Sequence, residues 1–67
     1  MKVFAERLKE LRLEKKLSQM QLAKLVDLSQ SGIKQWENNQ RIPNADAVVR
    51  LAKFFRVTTD YLLGLED

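Results

Sequence analysis

The feature that most constrains this 67-residue sequence is its centre, Leu17 to Gln40, which reads LSQMQLAKLVDLSQSGIKQWENNQ. It holds two helical patterns with only Asp27, Leu28 and Ser29 between them. Ser18 opens the first, and Gln21 at the third position beyond it completes an S-x-x-Q capping box. Leu22, Ala23, Leu25 and Val26 are its expected buried side. Ser29 is the natural N-cap of the second pattern, which runs to about Glu37 or Asn38. Helices this short are marginal in isolation, so each must be held by packing. The brief connection demands a sharp angle between them rather than an antiparallel hairpin. Ala23 is small where the two would approach closest, and Val26, Leu28, Ile33 and Trp36 are apolar where the wedge must be filled.

The flanks are helical as well. VFAERLKELRLEKK puts Phe4, Leu8 and Leu11 on one face, the mark of a first amphipathic helix. NNQRIPN is a loop of amides and a proline, with Ile42 expected to pin it to the core. Asn44 caps a fourth helix whose inward residues are expected to be Ala45, Val48, Val49, Leu51, Ala52 and Phe55. Thr58 caps a short fifth helix that Gly64 stops. Two glycines, one proline and few β-branched runs leave little room for strands. No repeat, linker or low-complexity tract interrupts the pattern. The expectation is an all-α fold, a compact five-helix bundle forming one domain over residues 1–67, with the central pair at 18–38.

Composition narrows the chemistry. With no cysteine and no histidine, the chain has no disulfide, no thiolate, no zinc site of the usual kind and no Ser-His or Cys-His pair. Acid–base work would fall to carboxylates, lysine or Tyr61, and no carboxylate pair shares a polar face; no glycine-rich phosphate loop exists. An enzyme is therefore not expected, nor a metal, a cofactor or a small-molecule ligand. No apolar run reaches the roughly 18 residues of a membrane span, and no signal-peptide core is present, so a cytoplasmic location away from membranes is expected. A net charge of +3 leans toward polyanions but identifies no partner by itself.

The exposed face of the third helix is more informative. At about 100° per residue, Ile33 and Trp36 centre the buried side, and Gln30, Ser31, Lys34, Gln35 and Asn38 fall within roughly 140° opposite. Each can donate a hydrogen bond and none is acidic. An α-helix fits the DNA major groove, where amides suit adenine and lysine suits guanine or phosphate. In a helix-turn-helix the second helix would then be the reading element and the first its brace. Taken singly these residues are ordinary surface residues; it is their joint placement after the angular pair that points to a nucleic-acid partner.

The stretch LSQMQLAKLVDLSQSGIKQWENNQRIPNADAVVRLAKFFRVTTDYLLG resembles the Cro/CI-type (XRE-type) helix-turn-helix DNA-binding transcriptional regulators typified by phage repressors. The most specific pieces are LSQxxLA, SQSGIxxWEN and DYLLG in that order, and the match extends back to RLKELR at Arg7–Arg12. The resemblance implies a lambda-repressor-like fold and site roles. Gln19 would bind phosphate and brace the first reader, Gln30; Ser31, Lys34 and Gln35 would follow along the groove. Ser18, Asn38, Asn39 and Arg41 would contact the DNA backbone, fixing register without carrying sequence information. Arg12 and Glu37 occupy positions that commonly pair, although independent surface charges are the alternative; Arg12 is also a secondary phosphate candidate. Asp27 stands where a turn glycine is usual and Lys16 where glycine or asparagine is, and close packing on the second helix is the expected reason for Gly32.

The resemblance also implies a homodimer on a palindromic operator, through Arg56, Val57, Leu62 and Leu65; Tyr61 falls in the same segment but is expected to close the core. The expected function is sequence-specific binding of double-stranded DNA, most often as a repressor. An antitoxin or protein-interaction module of the same fold is the alternative.

Overall fold

Polar side chains set where four of the helices begin. In the computed structural model, which describes residues 1–67, Ser18 Oγ accepts the Gln21 backbone N–H at 3.0 Å and Gln21 Oε1 accepts the Ser18 N–H at 2.8 Å. Ser29 Oγ accepts from Gly32 at 2.9 Å, Asn44 Oδ1 from Ala47 at 2.8 Å, and Thr58 Oγ1 from Tyr61 at 2.9 Å. Each bond satisfies an N–H group that a helix start leaves without an internal partner. The resulting helices are α1 (Lys2–Glu14), α2 (Gln19–Val26), α3 (Gln30–Glu37), α4 (Ala45–Phe55) and α5 (Thr59–Leu63), and there are no strands.

The helix ends are equally uniform. A left-handed residue follows each helix: Lys16, Asp27, Asn39 and Arg56 with φ of 57–58°, and Gly64 with φ of 81°. The next backbone N–H then bonds back to a carbonyl in the last turn, Leu17 to Arg12, Leu28 to Ala23, Gln40 to Gln35, Val57 to Ala52 and Leu65 to Asp60, at 2.8–3.2 Å. This is the Schellman arrangement, which satisfies carbonyls that would otherwise be orphaned. Only one of the five left-handed positions holds glycine, so four of them bear a steric cost of about 1 kcal/mol each.

Every helix sends at least one wholly buried side chain to a common core: Phe4 and Leu8 from α1, Leu22 from α2, Ile33 from α3, Leu51 from α4 and Leu62 from α5. α3 packs on both α1 and α2, while α5 bridges α1 and α4. Truncating one of these residues to alanine is expected to cost about 2–5 kcal/mol, through lost burial and the cavity left behind.

Several inward assignments need correction. Leu25 is 59% exposed, because Leu22, Ala23 and Val26 already define the buried sector of α2 and Leu25 falls outside it. On α4, Ala47 is buried instead of Ala45, and Val49 is 40% exposed, for the same angular reason. Ile42 is 75% exposed; the neighbouring Pro43 is the loop residue that enters the interior. Gly32 is not explained by packing on α2. A Cβ there would lie 2.9 Å from the Ser29 hydroxyl and 3.3 Å from the Trp36 ring, so glycine lets the α3 cap and the indole share one place.

Candidate nucleic-acid interface

The angular pair forms around Asp27, whose left-handed conformation ends α2 before Ser29 caps α3. Ile33 is fully buried and Trp36 half-buried, which fixes the rotation of α3 about its axis. Gln30, Ser31, Lys34 and Asn38 consequently face solvent, with Gln35 half-buried beside them. Side-chain hydrogen bonds in this region are made by Ser18, Gln19, Gln21, Ser29 and Glu37, all off the stripe. The stripe's own side chains are left with their donors and acceptors free for a ligand.

Behind the stripe lies a buried polar lock. Arg12 Nε donates to Glu37 Oε2 at 2.7 Å and Nη2 to Oε1 at 2.9 Å, while Nη1 donates to the Leu17 carbonyl at 2.8 Å. The Glu37 side chain is 2% exposed and that of Arg12 is 10% exposed. They are therefore not independent surface charges, and Arg12, enclosed and engaged on three nitrogens, is withdrawn as a phosphate candidate. The pKa of Arg12 is raised by its hydrogen bonds with Glu37, with burial opposing and Coulombic attraction adding. The lock ties the end of α3 to α1 and to the α1–α2 link.

Gln19, at the first position of α2, joins the lock through Nε2, which donates to Glu37 Oε1 at 3.1 Å. Ser18 is exposed and its hydroxyl oxygen serves the α2 cap. Asn39 is exposed, and its Oδ1 accepts from the N-terminal ammonium of Met1 at 2.7 Å, drawing a positive charge to the loop after α3. Arg41 is exposed in the same loop.

Between α3 and this loop lies a polar concavity of about 420 Å³, lined by Ser29, Ser31, Gln35, Trp36, Arg41 and Ile42 among others. Ser31 and Gln35, expected to read bases, and Arg41, expected to contact the DNA backbone, thus share a surface with Trp36 and Ile42, both expected from the sequence to belong to the core. The signal that could have found Ile42 is its place between Arg41 and a proline that already enters the interior.

The residues expected at a dimer contact do not all share one surface. Leu62 is fully buried and belongs to the core, so it is not available to a partner chain; it lies on α5, which packs against α1 and α4. Arg56 and Leu65 are exposed and Val57 half-buried. A second, apolar groove of about 300 Å³ runs between α4 and α5, lined by Pro43, Ala45, Val48, Val49, Thr59 and Leu63. No group of three or more Asp or Glu side chains comes together that could hold a metal ion. No helix is long and apolar enough to cross a membrane.

Comparison with known proteins agrees with this geometry. The helix-turn-helix family model matches residues 8–62. The transcriptional activator BcrR of Enterococcus faecalis is 41% identical over 64 residues, covering 96% of this chain and 31% of that protein. Among solved structures, the P22 c2 repressor in complex with a synthetic operator superposes with a TM-score of 0.84 at 32% identity, over 92% of this chain and 94% of that one. The restriction-modification controller protein C.AhdI of Aeromonas hydrophila gives 0.82 at 34% identity, over 91% and 92%. The chain spans between 28% and 58% of the length of the curated relatives it matches. The five-helix architecture, the angular α2–α3 pair and these matches together establish that the chain belongs to the helix-turn-helix family, of the Cro/CI or XRE type found in phage repressors.

Proposed function

We propose that this chain is a sequence-specific, double-stranded DNA-binding transcriptional regulator of repressor type, which places α3 in the major groove. The observation that carries the reading is the stripe of Gln30, Ser31, Lys34, Gln35 and Asn38: it lacks any acidic side chain, is free of internal side-chain bonds and is backed by a buried lock. Gln30, Ser31, Lys34 and Gln35 read base edges, at about 1–3 kcal/mol of discrimination for a good bidentate contact. Ser18, Gln19, Asn38, Asn39 and Arg41 hold the backbone on either side. The P22 c2 repressor, similar over nearly the whole chain, has been crystallised with a synthetic operator, which supports operator DNA as the partner.

One such module covers few base pairs, so specificity calls for two copies on half-sites about one DNA turn apart. The chain acts as a dimer on a palindromic operator. Arg56, Val57 and Leu65 contribute to the contact, and the apolar groove at Val49 and Leu63 extends it. Selection from a random DNA pool tests the reading. A palindrome with half-sites about one turn apart is expected; recovery of no enriched sequence, with tight co-purification of a second protein, would favour an antitoxin or interaction module instead.

A further inference from the structure

We propose that Glu37 fixes the polarity of the Gln19 amide, and through it the base preference of Gln30, as a positioning residue that never touches DNA. The inference rests on the DNA-binding reading above. Glu37 ends α3 and is nearly sealed from solvent, with Oε2 accepting from Arg12 Nε and Oε1 shared between Arg12 Nη2 at 2.9 Å and Gln19 Nε2 at 3.1 Å.

An amide can be turned over with almost no change of shape, so its partners decide which way it points. An ionised carboxylate only accepts. Turned over, Gln19 would set its carbonyl oxygen against Glu37 Oε1, acceptor against acceptor beside a buried charge. The –NH2 group must therefore face Glu37. The oxygen of Gln19 and its second N–H are left pointing away from the lock.

The consequence reaches the reading helix. Gln19 and Gln30 are the first residues of α2 and α3, and Gln30 is exposed. In the DNA-free chain the Gln19 side chain bonds only to Glu37; on DNA, with its polarity set, it accepts one N–H from Gln30 and gives its second N–H to a phosphate oxygen. Gln30 is then left with one N–H and one C=O toward the groove, the pair that matches adenine N7 and N6. With Gln19 reversed, Gln30 would engage through its carbonyl and present two N–H groups, which match the O6 and N7 acceptors of guanine. Glu37 thus selects which purine Gln30 reads.

The test compares the unmodified chain, Glu37→Gln, Gln19→Ala and the double variant, with thermal unfolding as the control for folding. Each is titrated with the operator selected by the unmodified chain and with its single-base variants. Glu37→Gln, whose amide can face Gln19 with either group, is expected to lose adenine-over-guanine preference on the order of tenfold at the Gln30 position. Preference at other positions should be retained, and the double variant should lose no more than Gln19→Ala. Uniform weakening of all operator variants, or retained preference in Glu37→Gln, would overturn the relay. Nuclear magnetic resonance of the unmodified, DNA-free chain is decisive should Glu37→Gln fail to fold. One slowly exchanging Gln19 side-chain proton close to the Arg12 guanidinium is expected, and two rapidly exchanging equivalent protons would overturn it. Failure of the unmodified chain to select any sequence removes the DNA-binding reading and the relay together, whereas preference surviving in Glu37→Gln removes only the relay.

Discussion

Arg12 and Glu37, 25 residues apart in sequence, meet through two hydrogen bonds, Nε to Oε2 at 2.7 Å and Nη2 to Oε1 at 2.9 Å. The pair is buried, so its worth lies in what happens when one half is removed. Glu37→Ala should leave an uncompensated guanidinium inside the bundle and cost about 3–5 kcal/mol. Replacing both, Arg12→Met with Glu37→Leu, should recover most of that loss, because neither charge then needs desolvating. Urea unfolding of the three chains checks this; a Glu37→Ala cost under about 1 kcal/mol would be incompatible with a buried pair. The raised pKa of Arg12 fixes the sign of any pH effect. On the alkaline side, the contribution from Arg12 is present below the ordinary arginine range and is lost as pH climbs through the raised value, so mildly alkaline solution should leave it intact.

The left-handed helix stops give a second prediction. Asp27→Gly and Lys16→Gly should each stabilise the fold by about 1 kcal/mol, since glycine meets no Cβ penalty there. In a domain of this size that raises Tm by roughly 4–8 °C, readable by calorimetry. Gly64→Ala should act in the opposite direction, since φ is +81° and the new Cβ would lie 2.9 Å from Val3 Cγ1.

Arg41 offers a prediction about affinity without specificity. It is exposed in the loop beside α3. Arg41→Ala should weaken binding to all sequences alike and reduce the salt dependence by about one unit of slope. Titrations at several salt concentrations decide it, and a change confined to one operator variant would mark Arg41 as a base reader.

Among the residues proposed for a dimer contact, Leu62 belongs to the core whereas Arg56 and Leu65 are exposed. Leu62→Ala is expected to destabilise by about 2–5 kcal/mol, as for any core leucine. Val49→Lys, on the apolar groove, should leave unfolding nearly unchanged and abolish cooperative binding to a two-half-site operator. Unaltered cooperativity would move the contact elsewhere.

How much of this was readable in the chain depended on range. The caps at Ser18, Ser29, Asn44 and Thr58 act within three residues, so local pattern exposed them. The exposed polar stripe followed from helical arithmetic because Ile33 gives α3 an unambiguous inner side. Leu25, Val49 and Ile42 were misassigned because apolarity says that a residue can be buried, not that its short helix or loop has room to turn it inward. The Gln19–Glu37 bond joins a polar surface type to a buried carboxylate across 18 residues, and no periodicity carries that information. The left-handed stop at Arg56 was silent, since arginine does not advertise the conformation, whereas Lys16 stands where the family resemblance leads one to look for a turn residue and Asn39 is of a type that tolerates it.

The most direct measurement is selection of bound sites from a random DNA pool by the unmodified chain and by Gln30→Ala in parallel. The unmodified chain should enrich a palindrome, and Gln30→Ala should relax preference at one symmetric pair of positions, by about 1–3 kcal/mol each, while leaving the rest of the site intact. An unchanged site in Gln30→Ala would contradict the assignment of the α3 stripe as the surface that reads DNA.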